Sequence, residues 1–291
     1  MSQSPKPTGK EHLLFVIIFL SILFLHLLSF GQTNISGNQS GLWEKSKNPY
    51  ILSGTVTVPV GQTLTIEPGV ELRSQNYFDL IDVHGTLIAK GTAADSIRLL
   101  GFANPTYSST HGGVIRFQPS SRNSVLEYVT IDRWGDVSSP YGATSVLFVQ
   151  SSSISITKSN FQNSEGNAIR SVISNAALFI SGNKFFNTGS AAIDGYAANL
   201  DSILNNENAV IVINSSTINK NTIWHYPGSN SYYRFVHSGS SITVPQNLTL
   251  TLEAGVELRS YNYADVIDVY GTLIAKGTAA DSIRLLGFAN P

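Results

Sequence analysis

Residues 153–171 read SISITKSNFQNSEGNAIRS, and residues 177–195 read ALFISGNKFFNTGSAAIDG. A shift of 24 positions lays Ile154 on Leu178, Ile156 on Ile180, Phe161 on Phe185, Asn163 on Asn187, Ala168 on Ala192 and Ile169 on Ile193. Apolar matches apolar and amide matches amide. The pattern extends both ways at somewhat longer spacings, as loop insertions would produce. Upstream, Leu126 and Ile131 match Ile156 and Phe161; downstream, Ile211, Ile213 and Ile218 match Leu178, Ile180 and Phe185. Such a period, built on short β-branched strands, is that of one coil of a parallel β-helix. Successive coils stack about 4.8 Å apart through backbone hydrogen bonds, so like residues form columns. A propeller needs a longer period, and an immunoglobulin-like sandwich has no fixed one. The register predicts Phe161 over Phe185 inside, and Asn163 over Asn187 at a turn.

The same kind of segment fills the chain beyond residue 50. TVTV (55–58), TLTI (63–66), DLIDV (79–83), TLIA (86–89), SIRLL (96–100), GVIRF (113–117), YVTI (128–131), SVLFV (145–149) and AVIVI (209–213) are short strands separated by Gly, Asn, Ser and Pro. No amphipathic helix of three turns is found, and the expected class is all-β. A longer repeat lies over this one. Residues 69–105 recur at 255–291, with only Gln75/Tyr261, Phe78/Ala264, Leu80/Val266 and His84/Tyr270 changed. The constant offset equals roughly eight coils at this period. The expected organisation is therefore a first β-helix module at 50–235 and the start of a second, truncated one at 236–291. Gly85 should match Gly271, and Ile97 should match Ile283. An end without a following coil would expose strand edges and favour self-association.

The N-terminus reads as a targeting segment. Lys6 and Lys10 precede an apolar run from Leu13 to Phe30, and Ser29 and Gly31 supply the small residues of a cleavage site. The expectation is a signal peptide at 1–31, with an uncleaved signal anchor as the alternative. Residues 32–49 are polar and read as a linker. Cysteine is absent, which removes disulfides, thiolate metal sites and a catalytic thiol. Charged residues make up 13% and the net charge is −1, which argues against a nucleic-acid surface.

TLTIEPGVELRS, VHGTLIAKGTAADSIRL and HGGVIRFQPSSRNSVLEYVTID together resemble the secreted bacterial right-handed parallel β-helix proteins of the pectin-lyase-like superfamily. The resemblance covers residues 50 to about 225, and 236–291 again. It implies turn positions at Gly69, Gly85, Gly91, Gly112 and Gly113. It implies inward positions at Ile81, Val83, Leu87, Ala89, Ile97, Leu99, Ile115, Phe117, Val129 and Ile131. His111 stands where the family often has an aromatic residue. The superfamily includes polysaccharide lyases and hydrolases, adhesins and passenger domains, so the resemblance bears on fold far more than on activity.

Candidate site residues are few. Asp132, Arg133 and Trp134 open the longest mid-chain insertion, which runs to about Tyr141. Insertions on a solenoid often form its binding surface. Trp134 and Tyr141 have the ring faces to stack on a sugar, and Asp132 and Arg133 have the polar groups to bond hydroxyls. The alternative is a loop folded back on the coil with Trp134 covering apolar surface. Asp79 and Asp82 recur as Asp265 and Asp268, which favours a turn or surface role over a weak calcium site. Arg170 and Asp194 occupy equivalent positions one coil apart and suit an ion pair across the stack. The junction clusters Trp224-His225-Tyr226 and Tyr232-Tyr233-Arg234 suit a seal between coils, or else a glycan platform. The six His residues show no HExxH or HxH spacing, and no nucleophile or phosphate-loop motif is present, so no catalytic residue, metal or cofactor is expected. The expected protein is an exported, non-catalytic β-helix module with a structural, adhesive or carbohydrate-contacting role at the cell surface. Its expected partner is a polysaccharide or cell-surface glycan. The alternative is a fragment of a polysaccharide lyase or glycoside hydrolase.

Overall fold

In the computed structural model, residues 31–76, 78–102, 112–135, 145–150, 153–174, 176–189, 191–237 and 239–287 are described. The signal peptide, His111 and Tyr141 fall outside the described residues. The chain is all-β, a solenoid of stacked parallel strands consistent with a parallel β-helix. The two described helices are single 3-10 segments, Lys45–Lys47 and Ala197–Ser202.

Three ladders run along the first module. The first ladder stacks the start of Tyr50–Val58 on Glu71–Arg73, Ile97–Leu100, Val129–Asp132, Asn160–Gln162 and Lys184–Phe186. The second stacks the end of Tyr50–Val58 on Leu80–Val83, Val114–Phe117, Ser145–Val149, Asn167–Ser171, Ile193–Tyr196 and Val210–Asn214. The third runs from Gly41–Trp43 through Thr63–Ile66, Thr86–Lys90, Ser124–Glu127, Ser153–Thr157 and Ala177–Ser181 to Ile203–Leu204. Alternation along each strand sends one set of side chains inward. Val56, Ile81, Ile115, Leu147, Ile169, Ile193 and Ile211 form one continuous buried column.

The register read from the opening stretch holds. Phe161 pairs with Phe185 in Cα register, and their buried rings stack at 5.2 Å between centroids. At the outer turn Asn187 donates to Asn163 at 3.1 Å, and Asn163 donates to Asp132 at 2.8 Å. A second, buried amide ladder lies at the tight turn from the third ladder to the first. There the Ser159 N–H donates to the Asn183 side-chain carbonyl, and the Asn183 N–H donates to that of Asn206, both at 3.0 Å. The residue that opens this turn has positive φ in four successive coils: Tyr128, Lys158, Gly182 and Asn205.

Three expectations are corrected. Ile211 and Ile213 do not lie over Leu178 and Ile180. They pair with Ile193 and Gly195, while Ile180 pairs with Ile203. The coil from Ile193 to Ile211, which carries the 3-10 segment Ala197–Ser202, is shorter than the coils before it, and this displaces the spacing. Residues 32–49 are not only a linker. Thr33–Asn38 and Gly41–Trp43 are strands of the first coil, with Ile35 and Trp43 buried between less buried neighbours.

The third correction concerns the long repeat. Glu71–Arg73 lies on the first ladder, but its counterpart Glu257–Arg259 continues the second ladder, through Tyr232–Phe235. From Leu80–Val83, seven strand spacings lead to Glu257–Arg259. The offset between the copies is thus seven coils plus one face, not eight coils. The strand ladders are continuous across residues 235 and 236.

Candidate functional site

Strand alternation and stacking together build a cleft beside each copy of the long repeat. In Glu71–Arg73 the middle residue Leu72 points inward, so Glu71 and Arg73 point out. Glu71 is in Cα register with Arg98 on the next coil. Its carboxylate therefore receives two guanidinium groups. Arg73 Nε donates to Oε1 at 2.6 Å, and Arg98 Nη1 lies 2.9 Å from Oε2. With Gln32, Gln75 and Arg133 they line a cleft of 390 Å³.

The second module repeats this arrangement at the equivalent positions. Glu257 is in register with Arg284 and pairs with both Arg259 and Arg284. These residues line a cleft of 320 Å³ with Tyr226, Asn230 and Tyr232. The Arg259 guanidinium sits 3.6 Å from the centre of the Tyr232 ring, a cation–π contact. Across the same face Arg234 lies 5.7 Å from the ring of Tyr261, the residue that replaces Gln75.

The insertion expected to bind carbohydrate is only partly brought into this site. Arg133 joins the first cleft, and its Nη2 lies 2.9 Å from Asp132 Oδ2. Asp132 is buried and accepts from Asn163, so it anchors a turn. Trp134 is fully buried in the core, so its ring has no face to offer a sugar. This corrects the stacking role expected of it. Burying the indole removes a large apolar surface from water, which outweighs exposing it for a ligand.

The junction clusters divide into a buried and an outer pair. Trp224 and Tyr233 are fully buried and stack at 5.2 Å. Trp224 Nε1 donates to the Ala197 carbonyl and the Tyr233 hydroxyl to the His225 carbonyl, so this pair seals the join. Tyr226 and Tyr232, on the outside, line the second cleft.

The duplicated aspartates hold turns. Asp79 accepts from Ser74 Oγ and from the N–H groups of Gln75, Asn76 and Gly54. Asp265 accepts from Ser260 Oγ and from the N–H groups of Tyr261, Asn262 and Ser240. Asp82 takes a bidentate pair from Arg116 and a bond from Gln118. Burial alone would raise its pKa, but the hydrogen bonds from Arg116 and Gln118 and the Arg116 charge outweigh burial and hold it below the usual carboxylate value. Asp194 goes the other way. Burial raises its pKa, against bonds from Asn214 and Asn167 and the charge of Arg170, whose Nε lies 3.4 Å away. Among the described residues no group of three His, Cys, Asp or Glu is placed to hold a metal ion.

The cleft residues Glu71, Arg73, Arg98, Glu257, Arg259 and Arg284 were not singled out from sequence. Their signal was the recurrence of ELR and IRLL inside the long repeat, but only the stack shows that they meet. No family model, curated protein or solved structure matches the chain.

Proposed function

We propose that this protein is an exported, non-catalytic β-helix module with a structural or adhesive role at the cell surface, where it contacts carbohydrate. The single observation that carries the reading is duplication: an outward cleft with the same three charged residues is built twice on the solenoid. Solenoids present extended surfaces on which such sites suit long polymers. The solenoid is taken as right-handed, since nearly all parallel crossover connections are. It is taken as similar in kind to the pectin-lyase-like proteins. Export rests on the N-terminal sequence.

A glycan-array screen of the exported chain, with a lyase assay alongside, tests the proposal. Retention of one or more glycans without chain cleavage is the expected result. Cleavage of a bound polysaccharide would move the protein to the lyase class, and absence of binding across the array would remove the carbohydrate role.

A further inference from the structure

We infer that the two Glu–Arg–Arg clefts are subsites for an oxyanion group of a glycan, a carboxylate or a sulfate, and that their placement on neighbouring faces makes the protein a bridge between two polyanionic strands. The inference rests on the carbohydrate reading above and deepens it.

The first argument is donor arithmetic. A guanidinium carries five N–H donors in a planar fork, and a carboxylate accepts about four hydrogen bonds. Two arginines therefore offer more donors than Glu71 or Glu257 can take. Among the described residues Arg98 meets Glu71 through Nη1, and Arg284 meets Glu257 through Nη2. Both arginines are more than half exposed, with side-chain exposures of 54% and 61%. The remaining edges of their forks are open to a second oxyanion, which the geometry of Arg favours. The first cleft adds the buried Nε of Arg133, which has no hydrogen-bond partner among the described residues. Each triad also carries one excess positive charge in a molecule whose net charge is −1.

The second argument is the phase of the repeat. With a whole number of coils between them, the two clefts would lie on one face and read a single polymer laid along the axis. The extra face in the offset sends them in different directions. Along the axis they are separated by seven strand spacings of about 4.8 Å, roughly 34 Å. A stiff polyanion held in one cleft does not turn the corner into the other, so the two sites hold different strands.

The test uses alginate as a carboxylate polymer, dextran sulfate as a sulfate polymer and plain dextran as the neutral control. Binding is read by calorimetry with oligomers too short to span both sites. Bridging is read by light scattering with the long polymers. The expected result is two equivalent oligomer sites per chain, weakened by salt, together with polymer cross-linking. Arg98→Gln and Arg284→Gln should each halve the stoichiometry and abolish cross-linking. The double variant should lose binding at least tenfold with an unchanged circular dichroism spectrum. Arg98→Lys, which keeps the charge but loses the fork, should bind more weakly than wild type at that cleft; full rescue by Lys would overturn the bidentate geometry. A double Gln variant that binds as well as wild type overturns the sites, and single variants that still cross-link overturn the bridge. Binding of plain dextran that survives the double variant leaves the carbohydrate reading standing and overturns this inference alone. Preference between alginate and dextran sulfate assigns the oxyanion.

Discussion

The two copies of the long repeat share their strands and turn contacts but neither their place on the solenoid nor their burial: Leu80 and Leu99 are buried, whereas Val266 and Leu285 are exposed. Gly85 packs against the carbonyls of Pro59 and Gln62, where a Cβ would clash, and Gly271 packs the same way against Pro245 and Leu248. The likeness extends upstream, where the sequences have diverged. Trp43 stacks on Tyr50 at 5.1 Å, with the Tyr50 hydroxyl on the Glu44 carbonyl. Trp224 stacks on Tyr233 at 5.2 Å, with the Tyr233 hydroxyl on the His225 carbonyl. The same tryptophan–tyrosine lock thus precedes each copy of the long repeat. Yet the first lock belongs to the opening coil, and the second sits inside the stack on coils already formed. The lesson is that local sequence specifies the coil, while the residues between copies specify which face it lands on.

The largest difference between the copies is expected at these locks. Trp→Ala in a core typically costs about 3–5 kcal/mol. Trp224→Ala should show that full cost, because it breaks the seal between modules and orphans the Ala197 carbonyl. Trp43→Ala should cost about half as much, since a coil near one end opens locally without unfolding its neighbours. Amide hydrogen exchange resolves the two: loss of protection should spread to both sides of Trp224 but stay near residues 33–66 for Trp43. Equal and global loss in both variants would mean that the solenoid unfolds as one unit and that position along it does not matter.

A smaller effect should be the same in both copies. Asp79→Ala strips an acceptor from three backbone N–H groups and a hydroxyl, and Asp265→Ala strips the equivalent four. Unsatisfied donors cost about 1–3 kcal/mol where they stay buried, and turn groups recover part of this from water. Each variant is expected to lose about 2–3 kcal/mol in denaturant unfolding, with Asn at either position recovering less than half. A difference between the two sites larger than about 1 kcal/mol would show that the turn depends on its neighbours more than on its own sequence.

The fold was legible because stacking turns a one-dimensional period into a column. Phe161 and Phe185, or Ile169 and Ile193, declare their contact by spacing alone. The phase of the second module was not legible. It depends on the Ala197–Ser202 segment and on the short coil from Ile193 to Ile211, neither of which carries a repeat signal. The opening coil was hidden for a related reason: Trp43 and Tyr50 have counterparts at Trp224 and Tyr233, but at offsets other than that of the long repeat. The site was less legible than the fold. Asp132 and Trp134 stood out by residue type, yet one braces a turn and the other fills the core. Arg98 and Arg284 were unremarkable in sequence, and acquire a role only because the register lays them over Glu71 and Glu257.

The smallest expected effect separates the copies through one carboxylate. Asp82 is held by Arg116 and Gln118 on the next coil, whereas its counterpart Asp268 has no side-chain partner among the described residues. Asp82→Asn should therefore cost about 1–2 kcal/mol at neutral pH, in the range of a hydrogen-bonded charged pair, and Asp268→Asn less than about 0.5 kcal/mol. The pH dependence carries the sign. The folded pKa of Asp82 is lowered, so its contribution is fully present above the unfolded value of about 3.9 and is lost as pH falls through the folded value. Asp194 opposes this: its folded pKa is raised, so its ionisation costs stability as pH rises from the unfolded value through the folded one. Comparing wild type with Asp82→Asn across acidic pH isolates the first effect, because Asp194 is common to both. The stability gap between them should close as the pH drops below about 4. A gap that persisted unchanged in acid would mean that Asp82 acts through shape and packing, and that the charge it shares with Arg116 adds nothing the second copy lacks.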